Sequence, residues 1–157
     1  MRTWAPIGQT PILEFSFNWQ KLSAIAGITS RSFCFRLHGG AIRTAQIIAF
    51  LGQLRRFLPG KILIIWDRAQ IHRSLRVRRY METHRDRIAT TYLPPYAPEL
   101  NPAENIWEYL RSNKLANTVY DGYDDIVDKA SDAWMFFAED KDRIASITTR
   151  DWAQVNL

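Results

Sequence analysis

The chain reads as an α/β fold, a sheet covered by helices, and three observations predict it. Short apolar runs of strand length alternate with segments whose apolar residues recur at helical spacing. Gly39-Gly40, Pro59-Gly60 and the prolines at 94, 95 and 98 break these segments at intervals that suit one domain of 157 residues. Hydrophobic residues make up 46% of the chain and aromatic residues 13%, enough to bury a core and too many for disorder.

Residues 1–13, with Pro6, Gly8 and Pro11, read as a loop or extended lead-in. Lys21–Thr29 and Ser32–Leu37 are strands on either side of a Thr29-Ser30-Arg31 turn, so an antiparallel hairpin is expected. Ile47, Leu51, Leu54 and Leu58 lie at helical spacing and predict a helix over 42–58, stopped by Pro59-Gly60. Residues 61–66 form a continuous apolar run, typical of a strand buried on both faces. Residues 74–86 predict a basic helix, and Ile88–Leu93 returns to strand, parallel to the preceding one. Pro94, Pro95 and Pro98 exclude regular structure as far as a helix over 102–115, which places Ala103, Ile106, Trp107 and Leu110 on one face. Asp124–Phe137 is a second, acidic amphipathic helix, with Ile126, Val127, Ala130, Ala133, Trp134 and Phe137 as its apolar side. The expected whole is one sheet with helices packed on it, free of repeats and low-complexity linkers.

Charge narrows the function classes. The formal net charge is +5, but it is unevenly spread. Residues 1–120 hold 17 Lys/Arg against 7 Asp/Glu, whereas residues 121–157 hold 4 against 9. Between Glu14 and Asp67 there is no acidic residue. A basic body of this kind suits a polyanion, because Lys and Arg at phosphates release condensed counterions. Arg68, Arg73, Arg76, Arg78, Arg79, Arg85 and Arg87 crowd the 74–86 helix and its flanks, and Arg43, Arg55 and Arg56 extend the patch. The acidic 121–142 segment would repel DNA and is expected to pack on the sheet or on a partner subunit. The single cysteine, Cys34, excludes an internal disulfide and a Cys-based zinc cluster, and its apolar surroundings suggest a buried, inert thiol. No signal peptide or membrane-length apolar run is present, so an intracellular, cytoplasmic protein without a membrane partner is expected.

Two carboxylates carry the chemical signal. Asp67 ends the 61–66 strand, and in open α/β sheets ligands gather at the carboxyl ends of strands. Asp at that place is also a common turn former. Glu104 stands near the start of the 102–115 helix, with Asn101 as N-cap and Pro102 at the first helical position. A helix N-terminus favours negative charge, which suits a carboxylate that holds a divalent cation. The same spacing also fits a capping box, in which Glu104 would bond back to the cap. Acids on separate elements can hold Mg²⁺ or Mn²⁺, which take oxygen ligands and keep water and phosphate in the shell. Two-metal phosphoryl transfer needs a bridging carboxylate as well as flanking ones, so two acids are too few.

The stretch Leu93-Pro94-Pro95-Tyr96-Ala97-Pro98-Glu99-Leu100-Asn101-Pro102-Ala103-Glu104-Asn105-Ile106-Trp107 resembles the catalytic-Glu segment of DDE transposases of the IS630/Tc1/mariner type. Trp66-Asp67-Arg68-Ala69-Gln70-Ile71-His72 resembles the segment of their second Asp, and Arg2–Pro11 the segment that follows the first. The matches occur in family order across residues 2–107. The resemblance implies an RNase H-like mixed sheet flanked by helices, with the first central strand and its Asp absent from 1–157, and no N-terminal helix-turn-helix domain. Glu14, the only acid before Asp67, falls beyond the family position.

The resemblance makes Asp67 and Glu104 catalytic metal ligands for Mg²⁺ or Mn²⁺, with His72 and Asn101 near the site. It implies DNA contacts by Arg68, Arg73, Arg76, Arg79 and Arg43. It implies cleavage of DNA at transposon ends and transfer to target DNA. The first Asp would come from an upstream transposase polypeptide or a second subunit, and the lone chain would be inactive. Without the central strand, the strands at 21–29 and 61–66 would each expose an unpaired edge. Trp66, Tyr96 and Trp107 lie around the motifs, where Trp66 and Trp107 suit core packing and any of the three could stack on an extruded base. Two other readings stay open: a non-catalytic DNA-binding or assembly fragment of a decayed or split transposase, and a related RNase H-like nuclease.

Overall fold

The computed structural model describes residues 7–8, 21–29, 32–116 and 118–148. The Arg2–Pro11 segment (Ile7 and Gly8 apart) and Glu14 lie outside these residues, so the expectations placed on them are not addressed by the fold. Strand β1 (Leu22–Ile28) pairs antiparallel with β2 (Phe33–Gly39), Leu22 opposite Gly39 and Ile28 opposite Phe33. Helix α1 (Thr44–Phe57) follows, then β3 (Ile62–Trp66), α2 (Leu75–Thr83) and β4 (Ile88–Tyr92). β3 and β4 are parallel, with Ile62 opposite Ile88 and Trp66 opposite Tyr92. A 3₁₀ turn (Pro98–Leu100) leads into α3 (Pro102–Asn113), and α4 (Tyr123–Glu139) and α5 (Lys141–Thr148) complete the described chain.

The elements follow the sequence pattern, with three corrections. The expected single sheet is instead two two-stranded sheets, β1-β2 and β3-β4, among the described residues. Between them lies a slot of about 770 Å³, lined on one side by Ala24–Ile28 and on the other by Ile62–Trp66. For the same reason β3 is not buried on both faces. Ile64 and Trp66 pack toward α1, whereas Leu63 and Ile65 remain 57% and 41% exposed. The basic helix also ends early, at Thr83, because the chain turns back to start β4. His84 accepts the backbone N–H groups of both Arg87 and Ile88 at 2.9 Å.

The third difference is α5, which the sequence reading did not assign. Asp140 starts it, accepting the Arg143 backbone N–H at 2.9 Å and the Arg143 Nε–H at 2.8 Å. The Arg143 guanidinium holds the Asp140 carboxyl below the usual carboxylate range. Ile144, fully buried, then locks the helix to the core.

Two hydrophobic clusters result. One face of the β1-β2 hairpin carries α3, α4 and α5, with Phe33, Ile106, Leu110, Trp134, Phe137 and Ile144 at its centre. Phe33 stacks on Trp134 at 5.4 Å and meets Phe137 edge-on at 5.1 Å. The acidic helix α4 therefore covers the hairpin, its apolar side inward as expected, with Asp124 and Asp125 in its first turn where the helix dipole favours them. The second cluster joins α1 and α2 to β3 and to the other face of β1, through Ile47, Phe50, Leu51, Leu54 and Val77. At Gly27 a Cβ would stand 3.0 Å from Leu54 Cδ2, so glycine lets α1 approach β1. Cys34 sits beside it, half-buried, with its thiol pushed up by burial and 3.7 Å from the Gly27 carbonyl, as an inert thiol would be. Among the described residues, no helix is long and apolar enough to cross a membrane.

Candidate active site

Asp67 is the first residue beyond β3, at the carboxyl end of that strand. One carboxylate oxygen, Oδ1, accepts the Ala69 backbone N–H at 2.9 Å and meets His72 Nδ1 at 2.8 Å. A carboxylate only accepts hydrogen bonds, so the imidazole proton belongs on Nδ1 in this arrangement. The His72 ring lies flat on Trp66, 4.6 Å between centroids and 4° from parallel. His72 is 19% exposed and Asp67 55%. The imidazole is thus a packed brace under a solvent-facing acid, and Asp67 Oδ2 has no hydrogen-bond partner among the described residues.

Glu104 reaches the site from the other side. Leu93 extends the β4 ladder by donating its N–H to the Trp66 carbonyl at 2.9 Å, and Arg68 Nε donates to the Leu93 carbonyl at 3.1 Å. The chain then crosses Pro94–Leu100 and enters α3. Asn101 caps that helix, its Oδ1 accepting from the Ala103 N–H at 3.1 Å, with Pro102 at the first position. The capping-box alternative is not formed. The Asn101 N–H goes to the Pro98 carbonyl at 2.9 Å, and the exposed Glu104 side chain has no partner among the described residues.

Asp67, His72, Asn101 and Glu104 all line the slot between the sheets. Asp67 Oδ2 and the Glu104 carboxylate present hard oxygen donors without competing partners among the described residues, which fits Mg²⁺ or Mn²⁺ in part. Among the described residues, no group of three or more His, Cys, Asp or Glu side chains is placed to hold a metal ion. A complete two-metal centre needs a further carboxylate there.

The arginines divide into two sets. Arg73, Arg76, Arg78 and Arg79 are exposed and make no salt bridge among the described residues. Arg43 is exposed at the start of α1. Arg87, by contrast, is turned away from any patch. It donates to the carbonyls of Gly60 at 2.8 Å, Leu58 at 3.3 Å and Arg55 at 3.4 Å, closing the end of α1. Arg55 is held on the Tyr80 hydroxyl at 3.3 Å, and Arg85 pairs with Glu82 at 3.0 Å. Of the aromatic residues near the motifs, Trp107 packs edge-on against Trp134 at 4.9 Å. Tyr92, beside the site and not foreseen there, stands opposite Trp66 in register and lies under Arg68, 6.0 Å from the guanidinium. The parallel pairing of β3 with β4 was the signal that could have found it.

The mixed α/β fold, small sheets flanked by helices, is similar to the RNase H-like fold. The chain's fold matches that of the Mos1 mariner paired-end complex with Mn, at a TM-score of 0.71 and 18% identity over 94% of this chain and 46% of that one. The Mos1 catalytic domain alone matches at a TM-score of 0.64 and 18% identity, over 87% of this chain and 71% of that one. Residues 1–126 match the DDE superfamily endonuclease family, and the chain belongs to it. An uncharacterised protein of Sinorhizobium fredii, y4pE/y4sA, is 44% identical over 68 residues, 43% of this chain and 50% of that protein. The chain spans about half the length of these proteins, 50% of y4pE/y4sA and 46% of the Mos1 chain in the paired-end complex.

Proposed function

We propose that residues 1–157 are the later part of a transposase catalytic domain that cuts DNA phosphodiesters at transposon ends and joins the freed 3′-hydroxyl to target DNA. The observation that carries this reading is the placement of Asp67 and Glu104 on one slot, with Asp67 Oδ2 and the Glu104 carboxylate free of other partners among the described residues. Both acids would hold Mg²⁺ or Mn²⁺, which supplies charge neutralisation at the attacking and leaving oxygens. His72 fixes the Asp67 carboxylate, and Asn101 fixes where α3, and with it Glu104, begins. The presence of Mn in the Mos1 paired-end complex supports this choice of metal.

The third carboxylate would arrive on a β-strand that enters the slot. Only a strand parallel to β3 would end beside Asp67, and its terminal residue would be the missing Asp. Pairing with β1 on one side and β3 on the other would satisfy both open edges and cover Leu63 and Ile65. That strand would come from upstream transposase polypeptide or from a second subunit, and the residues described here alone would be inactive. The working place of such a protein is the cell interior, on DNA.

The test is a cleavage and joining assay on a labelled transposon-end duplex, with the chain alone and with the upstream transposase segment added, in Mg²⁺ or Mn²⁺. Cutting followed by strand joining is expected only with both polypeptide parts and metal. Cutting without joining would indicate an RNase H-like nuclease instead. If the added segment leaves the amide protection of β1 and β3 unchanged, the strand-addition reading is wrong.

The exposed arginines support a second reading, a DNA-binding or assembly fragment without catalysis. Both readings expect phosphate contacts by Arg43, Arg68, Arg73, Arg76 and Arg79. Arg76→Ala and Arg79→Ala should each weaken DNA binding across sequences and reduce the slope of log K against log salt by about 1. A fluorescence-anisotropy titration over a series of salt concentrations measures it, and unchanged slopes would place the DNA elsewhere.

A further inference from the structure

Three aromatic rings surround the two acidic motifs, and the fold uses two of them internally. Trp66 is stacked under His72, and Trp107 is packed on Trp134. Tyr96 is different: it is 99% exposed. Its φ is +57°, and it is the only non-glycine residue with positive φ among the described residues. That region favours glycine, and Tyr96 follows Pro95 in the turn position where glycine would ordinarily stand. A tyrosine kept in a strained backbone and pointed at solvent calls for a role outside folding.

The loop restrains the backbone that carries the ring. Pro94, Pro95 and Pro98 fix their own φ angles. The Leu100 N–H bonds the Ala97 carbonyl at 3.2 Å, and the Asn101 N–H bonds that of Pro98 at 2.9 Å. Both ends of the loop, Leu93 and Asn101, line the same slot as Asp67 and Glu104. Arg68 is tied to the near end through the Leu93 carbonyl. An exposed ring is therefore carried on a backbone-restrained loop whose two ends line the carboxylate slot.

We infer that Tyr96 is a base-stacking residue, receiving an unpaired nucleobase of the DNA strand whose phosphodiester lies at Asp67 and Glu104. The inference rests on the DNA-cleavage reading above and adds a substrate preference to it. Every base has a π-face, but inside a duplex both faces are occupied by neighbours, so the ring selects a base that has left the stack.

The test needs no metal and no cleavage. The chain is titrated in EDTA with a duplex ending in a short single-stranded overhang that carries 2-aminopurine, and with the same duplex blunt. The wild type and Tyr96→Phe are expected to quench the 2-aminopurine. Tyr96→Ala is expected to lose the quench and roughly 5- to 100-fold in affinity for the overhang, with the blunt duplex unaffected. Tyr96→Gly removes the ring while relaxing the backbone, and should behave as Tyr96→Ala if the latter folds poorly. Retained quenching in both ring-less variants, or an equal loss on both duplexes, overturns the assignment. So does a Tyr96→Phe variant as weak as Tyr96→Ala. A change confined to self-association in sedimentation would make Tyr96 a protein contact instead. Failure of the metal-dependent cleavage assay would count against the catalytic reading and leave this binding result standing.

Discussion

Asp67→Ala and Glu104→Ala are each expected to lower the proposed metal-dependent DNA cleavage about 10³-fold or more. Each removes a charged oxygen donor from a divalent cation, and the lost charge stabilisation at the transferred phosphoryl group amounts to several kcal/mol. Neither change should disturb the fold. Asp67 is 55% exposed, and Glu104 is exposed with no partner to lose. DNA affinity at fixed salt should stay near wild type, because the exposed arginines are untouched. His72→Ala takes away only the brace on Oδ1, and a smaller fall of about 10- to 100-fold is expected. Single-turnover cleavage of a labelled duplex measures the series. Activity within tenfold of wild type in either carboxylate variant would remove that residue from the metal site.

Phe137→Ala should be the most damaging single change to stability. Phe137 is fully buried, edge-on to Phe33 at 5.1 Å and 5.9 Å from Tyr109. It is the point where α4, β2 and α3 meet. Large-to-small substitutions of this kind cost about 3–5 kcal/mol, from lost transfer energy and the cavity left behind. Domains of this size have only about 5–15 kcal/mol in hand, so this one change should remove a large fraction of the stability. Urea denaturation followed by tryptophan fluorescence is a sensitive probe, since Trp134 lies in the same cluster. A loss below about 1 kcal/mol would mean that the hairpin is not held by this packing.

Much of this arrangement was legible in the residues. The period of Ile47, Leu51 and Leu54 gave α1, and the Asn101-Pro102 pair gave the start of α3 to the residue. Local signals of that kind depend on neighbours a few positions away, which a sequence displays directly. The places of Asp67 and Glu104 followed from the same logic. What the sequence did not display was non-local. The continuous run at 61–66 suggested burial on both faces, but burial depends on what lies alongside, and Leu63 and Ile65 face a slot. Arg87 looked like one more basic side chain in a row, until the chain return at His84 aimed it at the end of α1. Glu104 also allowed a capping box, and only the partner of the Asn101 N–H ruled that out. The helix at 141–148 was missed because it is short and only Ile144 and Ile147 anchor it to the core.

The two hydrophobic clusters meet along a seam, not in a common centre, and the acidic residues stand where that seam opens. An insert that closes the seam would join both clusters into one cooperative body in the same event that brings the last carboxylate into place. Competence to cut would then be inseparable from structural completeness. Under the proposed reading, a partly made or misassembled copy would then be harmless by construction, with no inhibitor required.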